Sequence, residues 1–453
     1  MIGVGMSEDP FLSGNFGPMK EETTATDLVV KGQIPKDLVG RLLRIGPNPV
    51  SPGENHHWFA GNGFVHGLRL RDGRAEWYHS RFVRDDQVCD FKGWPRTPGP
   101  RSREDSTGLA NTNVIGLEGK TYAIVEGGGF PMELDYELET VQCSDFGGGL
   151  MSSFSAHPKR DPDSGELHAV GYSGFKDELQ HVVVSAEGKV IRTENIPVPG
   201  RPMVHDCAIT ENYFIVFDFP VIFQAKSGAD LDGISEGLGE YRWQEDYGSR
   251  VGLLPRNGTA DEIVWCEVNN CFVFHSLNAY EDRDGRVVLD VVRHPSMFDT
   301  NRTGPGEGPP TLDRWLLDPK DGSAKEERLS ERPQEFPRHD ERLVGKPYRY
   351  GYCGTAGEAG LFGGLLKHDF HKGEVQHRDD GASKQYQEAV FVPSSEDADE
   401  DDGWIMSYRH DSDRNVAEVV ILHAQDFLGD PVATIDLGVR VPFGFHGNWV
   451  ADT

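Results

Sequence analysis

Residues 64–83 read Phe64-Val65-His66-Gly67-Leu68-Arg69-Leu70-Arg71-Asp72-Gly73-Arg74-Ala75-Glu76-Trp77-Tyr78-His79-Ser80-Arg81-Phe82-Val83. Two runs of strand-favouring residues flank a polar Arg71-Asp72-Gly73, and Asp-Gly is a sequence that closes tight hairpins. The segment reads as a β-hairpin, and the same grammar recurs on both sides of it. Short alternating or apolar runs occupy 42–45, 121–125, 168–172, 181–184, 189–193, 213–217, 263–267, 287–292, 403–408 and 418–423. Ala186-Glu187-Gly188 and Arg283-Asp284-Gly285 supply further hairpin turns, while helical periodicity is hard to find. Evenly spaced strands with tight turns indicate an all-β sandwich, barrel or propeller. No strict internal repeat marks individual blades.

The chain has 453 residues, of which 37% are hydrophobic, so it can bury a sizeable core. No linker divides it, and residues 1–453 read as one domain. Two stretches interrupt the strand pattern. Residues 224–262, rich in glycine and charge, read as a loop with a short helix. Residues 394–403 read as an acidic turn between strands, with calcium binding at 396–402 as the lesser alternative.

A formal net charge of -29 sets the classes of partner. A field of that sign repels nucleic acid and anionic lipid, leaving only an apolar patch for peripheral membrane contact. Nothing in the sequence calls for an obligate protein partner. The six cysteines contain no CxxC pair, a reduced and cytoplasmic profile. The first sixteen residues lack a basic stretch followed by an apolar run, and no window approaches 18 apolar residues. The expectation is neither a signal peptide nor a transmembrane span.

Four of the 17 histidines border short apolar stretches. His157 lies in Phe154-Ser155-Ala156-His157-Pro158 and His205 in Pro202-Met203-Val204-His205-Asp206. His275 follows Cys271-Phe272-Val273-Phe274, and His446 sits in Phe443-Gly444-Phe445-His446-Gly447. Four neutral imidazoles would leave Fe(II) two open positions, and carboxylates one layer out would balance the charge and orient the rings. Spacing alone leaves the matter open, because such separations are not a local metal motif. Each histidine, taken singly, also fits an ordinary hydrogen-bonded core or rim residue.

Longer motifs carry more information. They begin with Phe11-Leu12-Ser13-Gly14-Asn15-Phe16, Gly46-Pro47-Asn48-Pro49, His57-Trp58-Phe59-Ala60-Gly61-Asn62-Gly63-Phe64 and Arg81-Phe82-Val83-Arg84. Asn278-Ala279-Tyr280-Glu281-Asp282, Glu335-Phe336-Pro337, Glu388-Ala389-Val390-Phe391-Val392-Pro393 and Gly444-Phe445-His446-Gly447-Asn448-Trp449 follow. Together with the four histidine segments, they resemble the carotenoid cleavage oxygenase family over nearly the whole chain. That family includes lignostilbene dioxygenases and the retinoid isomerohydrolase.

The resemblance implies a seven-bladed β-propeller with a dome of loops and short helices over an axial metal site. It implies Fe(II) on His157, His205, His275 and His446, with Glu126, Glu335 and Glu388 as the outer carboxylates. It further implies cleavage of a carbon–carbon double bond by molecular oxygen, with a hydrophobic alkene held in an apolar tunnel. Family members acting on hydroxystilbenes carry a lysine directly before the first outer glutamate. Here that place is Val125, whose apolar side chain suits a polyene wall better than a phenol. An apocarotenoid or carotenoid is therefore the expected substrate, with a stilbene or other phenylpropanoid as the alternative.

Overall fold

The computed structural model describes residues 9–53, 56–102, 106–150, 153–224, 240–301, 307–356 and 362–452. The decisive hairpin forms as read: Gly63–Arg71 pairs antiparallel with Arg74–Phe82, and Arg71 lies opposite Arg74. Asp72 and Gly73 between them hold φ of 50° and 72°, the left-handed pair that matches the twist of the flanking strands.

Seven antiparallel sheets make a β-propeller. Blade 1 contains Gly40–Pro47 and the hairpin; blade 2 runs from Asn113–Leu117 to Thr140–Cys143 and blade 3 from Lys159–Arg160 to Val190–Pro197. Blade 4 joins Cys207–Ile209, Tyr213–Asp218, Ser249–Pro255 and Val264–Val268. Blade 5 begins with Phe272–Glu281, blade 6 with Gln334–Arg338, and blade 7 is built on Gly403–Asp411. Innermost strands of neighbouring blades touch around the axis, as between blades 1 and 2, 3 and 4, 4 and 5, 5 and 6, and 7 and 1.

The ring is closed twice. Near the N-terminus, Val29–Gly32 adds to blade 7 beside Ala433–Asp436; near the C-terminus, Gly447–Ala451 adds to blade 1 beside Gly40–Pro47. Gly447 permits the second closure, because a Cβ there would lie 2.1 Å from the carbonyl oxygen of Leu43. Among the described residues the core is divided, with no single central cluster. Apolar clusters fill the seams between blades instead, with Leu43, Ile45 and Val114 in one and Phe214, Phe217 and Trp315 in another.

The two irregular segments come out differently. Of 224–262, residues 225–239 lie outside the described residues. The remainder contains two strands: Tyr241–Trp243 pairs with Val221–Phe223, and Ser249–Pro255 is a central strand of blade 4. Among its described residues there are two single 3-10 turns, Glu245–Tyr247 and Ala260–Glu262, and no α-helix. Alternation over Ser249–Pro255 is masked because most of the strand is buried, so glycine and charge dominated the reading.

The acidic turn does connect two strands, Val390–Pro393 and Gly403–Asp411. Some of its carboxylates face protein partners. Asp401 accepts from the Tyr352 hydroxyl at 2.6 Å and from Lys367 Nζ at 2.5 Å, while Glu400 accepts from the backbone N–H of Arg349 and Tyr350. These contacts hold blade 7 against blade 6.

Candidate metal centre

Each blade sends one residue toward the axis. His446 comes just before the innermost strand of blade 1, and Glu126 follows the second strand of blade 2. His157 and His205 precede the first strands of blades 3 and 4, while His275 lies within that of blade 5. Glu335 belongs to the first strand of blade 6, and Glu388 precedes Val390–Pro393 of blade 7. Closing the propeller brings these sequence-distant side chains together.

The four imidazoles are buried, and one nitrogen from each lies within 4.8 Å of the other three. Nε2 of His157 is 3.0 Å from that of His205, which is 3.2 Å from that of His275, which is 3.1 Å from that of His446. Two nitrogens at right angles on one ion, each about 2.1 Å away, would be separated by about 3.0 Å. The donor set fits a single transition-metal ion.

Carboxylates hold the far side of three rings. Glu335 Oε2 accepts from His275 Nδ1 at 2.6 Å, and Glu388 Oε1 accepts from His446 Nδ1 at 2.8 Å. Glu126 Oε2 lies 2.7 Å from His205 Nδ1, although the approach is not aligned as a hydrogen bond. The carboxylate is close enough to orient the ring electrostatically. With Nδ1–H directed outward, each ring turns its Nε2 lone pair inward. Among the described residues no carboxylate pairs with His157.

The electrostatics favour a cation. Burial, reinforced by the charge of the other histidines, pushes His157 well below the usual histidine range. Burial also takes His446 down to about 4 against the pull of Glu388. Burial would lower His205, but the carboxylates of Glu126, Asp206 and Glu335 together raise its pKa. Burial would raise Glu335, but His275 and His294 hold it well below the carboxylate range. Arg338 and His446 similarly bring Glu388 down to about 2 despite burial. Three carboxylates thus lie behind the ligand rings. Arg338, 3.2 Å from Glu388, offsets one of them.

Several supporting residues carry no signal that spacing or composition could reveal. His294 Nε2 donates to Glu335 Oε1 at 2.8 Å, so this glutamate bridges two imidazoles. Asp206, 1% exposed, accepts hydrogen bonds from Lys159 and Ser276. Phe336 packs its ring on His275 and His446, at centroid distances of 5.5 and 5.2 Å. Its φ of 54° is unusual for a bulky residue and falls in an irregular stretch of the pairing between the first two strands of blade 6.

Aromatic rings extend outward from this point. Phe362 stacks on Phe336, and Trp58 meets Phe362 and Phe445. Phe59 meets Phe274, which packs edge-on to His205. The short 3-10 turns Pro10–Leu12 and Gly14–Phe16 add Phe11 and Phe16. A cavity of about 830 Å³, lined in part by Phe336, reaches His157, His275 and His446; its wall includes Glu118, Lys120 and Arg160. Val125 is 4% exposed beside Glu126 and does not belong to that wall.

A seven-bladed propeller carrying four inward-facing imidazoles backed by glutamates defines a metalloenzyme-type centre. Residues 16–451 match the family described as retinal pigment epithelial membrane protein (RPE65). The chain belongs to this carotenoid cleavage oxygenase family. It is 39% identical to the carotenoid cleavage oxygenase of Mycobacterium tuberculosis, over 99% of this chain and 98% of that protein. The lignostilbene dioxygenase structure from Pseudomonas brassicacearum superposes with a TM-score of 0.87 at 26% identity, covering 99% of this chain and 100% of that one. Cobalt-substituted Synechocystis ACO gives 0.83 at 28% identity, covering 96% and 97%.

Proposed function

We propose that this chain is a non-haem iron(II) dioxygenase that cleaves a carbon–carbon double bond of an apocarotenoid or carotenoid, giving two carbonyl products. The observation that carries this reading is the ring of four converging Nε2 atoms with glutamates behind three of them. His157, His205, His275 and His446 would hold iron(II), which supplies activation of dioxygen. Both oxygen atoms end in product, so no external reductant is required.

The protein's own residues provide orientation and a dry apolar surface. Glu126, Glu335 and Glu388 fix the rings and keep their lone pairs directed at one point. Phe59, Phe274, Phe336 and Phe445 form an aromatic wall beside the ligands, suited to the flat face of a conjugated alkene. Such a wall restricts water near the reacting carbons and holds them in register. A cytoplasmic location belongs to the same proposal, supported by six buried unpaired thiols. So does brief peripheral contact with a membrane to collect an apolar substrate, with exposed Phe91 and Phe175 as candidate groups.

A stilbene-type alkene is the second reading, favoured by the structural likeness to the lignostilbene dioxygenase. Val125 weighs against it, because a buried valine offers a phenol no partner. The test is kcat/KM on an apocarotenal against a hydroxystilbene, for the native protein and for Val125→Lys. The native protein should prefer the apocarotenal, and the buried ammonium of Val125→Lys should reduce that activity. Faster cleavage of the stilbene by the native protein would overturn the substrate assignment.

A further inference from the structure

Three ligand histidines are steered through Nδ1 by a glutamate, and His157 is not. Something else must place that ring. His157 leads directly into the strand Lys159–Arg160, and Lys159 Nζ lies 2.8 Å from Oδ1 of Asp206 and 3.1 Å from its Oδ2. Asp206 immediately follows the ligand His205 and is 1% exposed.

The same carboxylate reaches a third ligand segment. Its Oδ2 accepts from the backbone N–H of Ser276 at 2.8 Å and from the Ser276 hydroxyl at 2.7 Å, and Ser276 immediately follows His275. Its Oδ1 accepts from the N–H of Cys207 at 2.7 Å. Cys207 Sγ in turn lies 3.7 Å from the carbonyl oxygen of His157. One buried carboxylate thus contacts groups within two residues of His157, His205 and His275, on three consecutive blades.

We propose that Asp206, acting with Lys159, is the fourth positioning carboxylate of the metal centre. It places His157 through the backbone, whereas Glu126, Glu335 and Glu388 place their rings through Nδ1. A site of this kind tolerates little displacement of its ligands. Removing either partner of a largely buried ion pair leaves the other charge uncompensated, so the segment carrying His157 loses its anchor. A simple inter-blade staple would stabilise the fold equally well, but it would leave the number of imidazoles on the metal unchanged.

This inference rests on the metal reading above. The test compares wild type, Asp206→Asn and Lys159→Met, each stripped and reloaded with cobalt(II). Imidazoles per cobalt are counted by X-ray absorption, and release to a chelator is timed. Wild type should show four imidazoles. Asp206→Asn and Lys159→Met should each show about three and release cobalt about 10–100-fold faster. Should Asp206→Asn fail to fold, Lys159→Met decides, because Asp206 keeps its hydrogen bonds from Ser276 and Cys207 when the partly exposed lysine is lost. Four imidazoles with the wild-type release rate in Lys159→Met would overturn the clamp and leave the metal reading standing. Wild-type protein that takes up no cobalt would overturn both.

Discussion

Nε2 of His275 and Nε2 of His446 face each other across 3.1 Å, although 171 residues separate them in the chain. Each ring gives its Nδ1–H to a glutamate, so two lone pairs meet at hydrogen-bond distance with no proton assigned between them. A shared cation relieves that repulsion. Stripping the metal with a chelator should lower Tm, and restoring iron(II) should recover it, since a ligand bound only by the folded state stabilises it by about 2.7 kcal/mol at a hundredfold excess over Kd. His275→Ala should retain far less than one iron per chain by elemental analysis. Full occupancy in that variant would contradict the assignment of the ring.

Glu335 has two imidazole partners, His275 and His294, whereas Glu388 is seen with one, His446. Glu335→Gln exchanges one acceptor oxygen for an amide donor, and so loses one of the two contacts. Iron retention or activity should fall about 10–100-fold. Metal content and turnover equal to wild type would remove Glu335 from the centre.

Glu388 yields a prediction with a defined sign. Its pKa falls from 4.5 to about 2 in the folded protein, where Arg338 and His446 outweigh the cost of burial. A depressed carboxylate contributes stability that is present above its unfolded pKa and lost as pH falls through the folded one. In metal-stripped protein, the Tm difference between wild type and Glu388→Gln should be full above pH 4.5 and should shrink as pH falls toward 2. A gap that stays constant over that window would show that the ion pair with Arg338 contributes nothing.

What could be read from the residues differed sharply between fold and site. Asp72-Gly73 announced a hairpin because only a few residue types adopt its backbone, and the pairing of Arg71 with Arg74 follows. Seven blades were not legible from pattern, since the strands share geometry without sharing sequence. The ligand spacings said little because propeller closure, and not local structure, brings the four histidines together. Resemblance supplied them instead.

Asp206 and His294 escaped notice because a carboxylate beside a ligand, or a histidine ending a strand, looks ordinary until its partners are seen. The helix Asp86–Lys92 was missed for a simpler reason: seven residues give no readable helical period.

The most direct test is product analysis of iron-loaded protein incubated with an apocarotenal under ¹⁸O₂, read promptly by mass spectrometry. Two carbonyl fragments should form, their masses together equal to the substrate plus both labelled oxygen atoms. Protein holding about one iron per chain that leaves the alkene intact, for both an apocarotenal and a hydroxystilbene, would contradict the proposed chemistry.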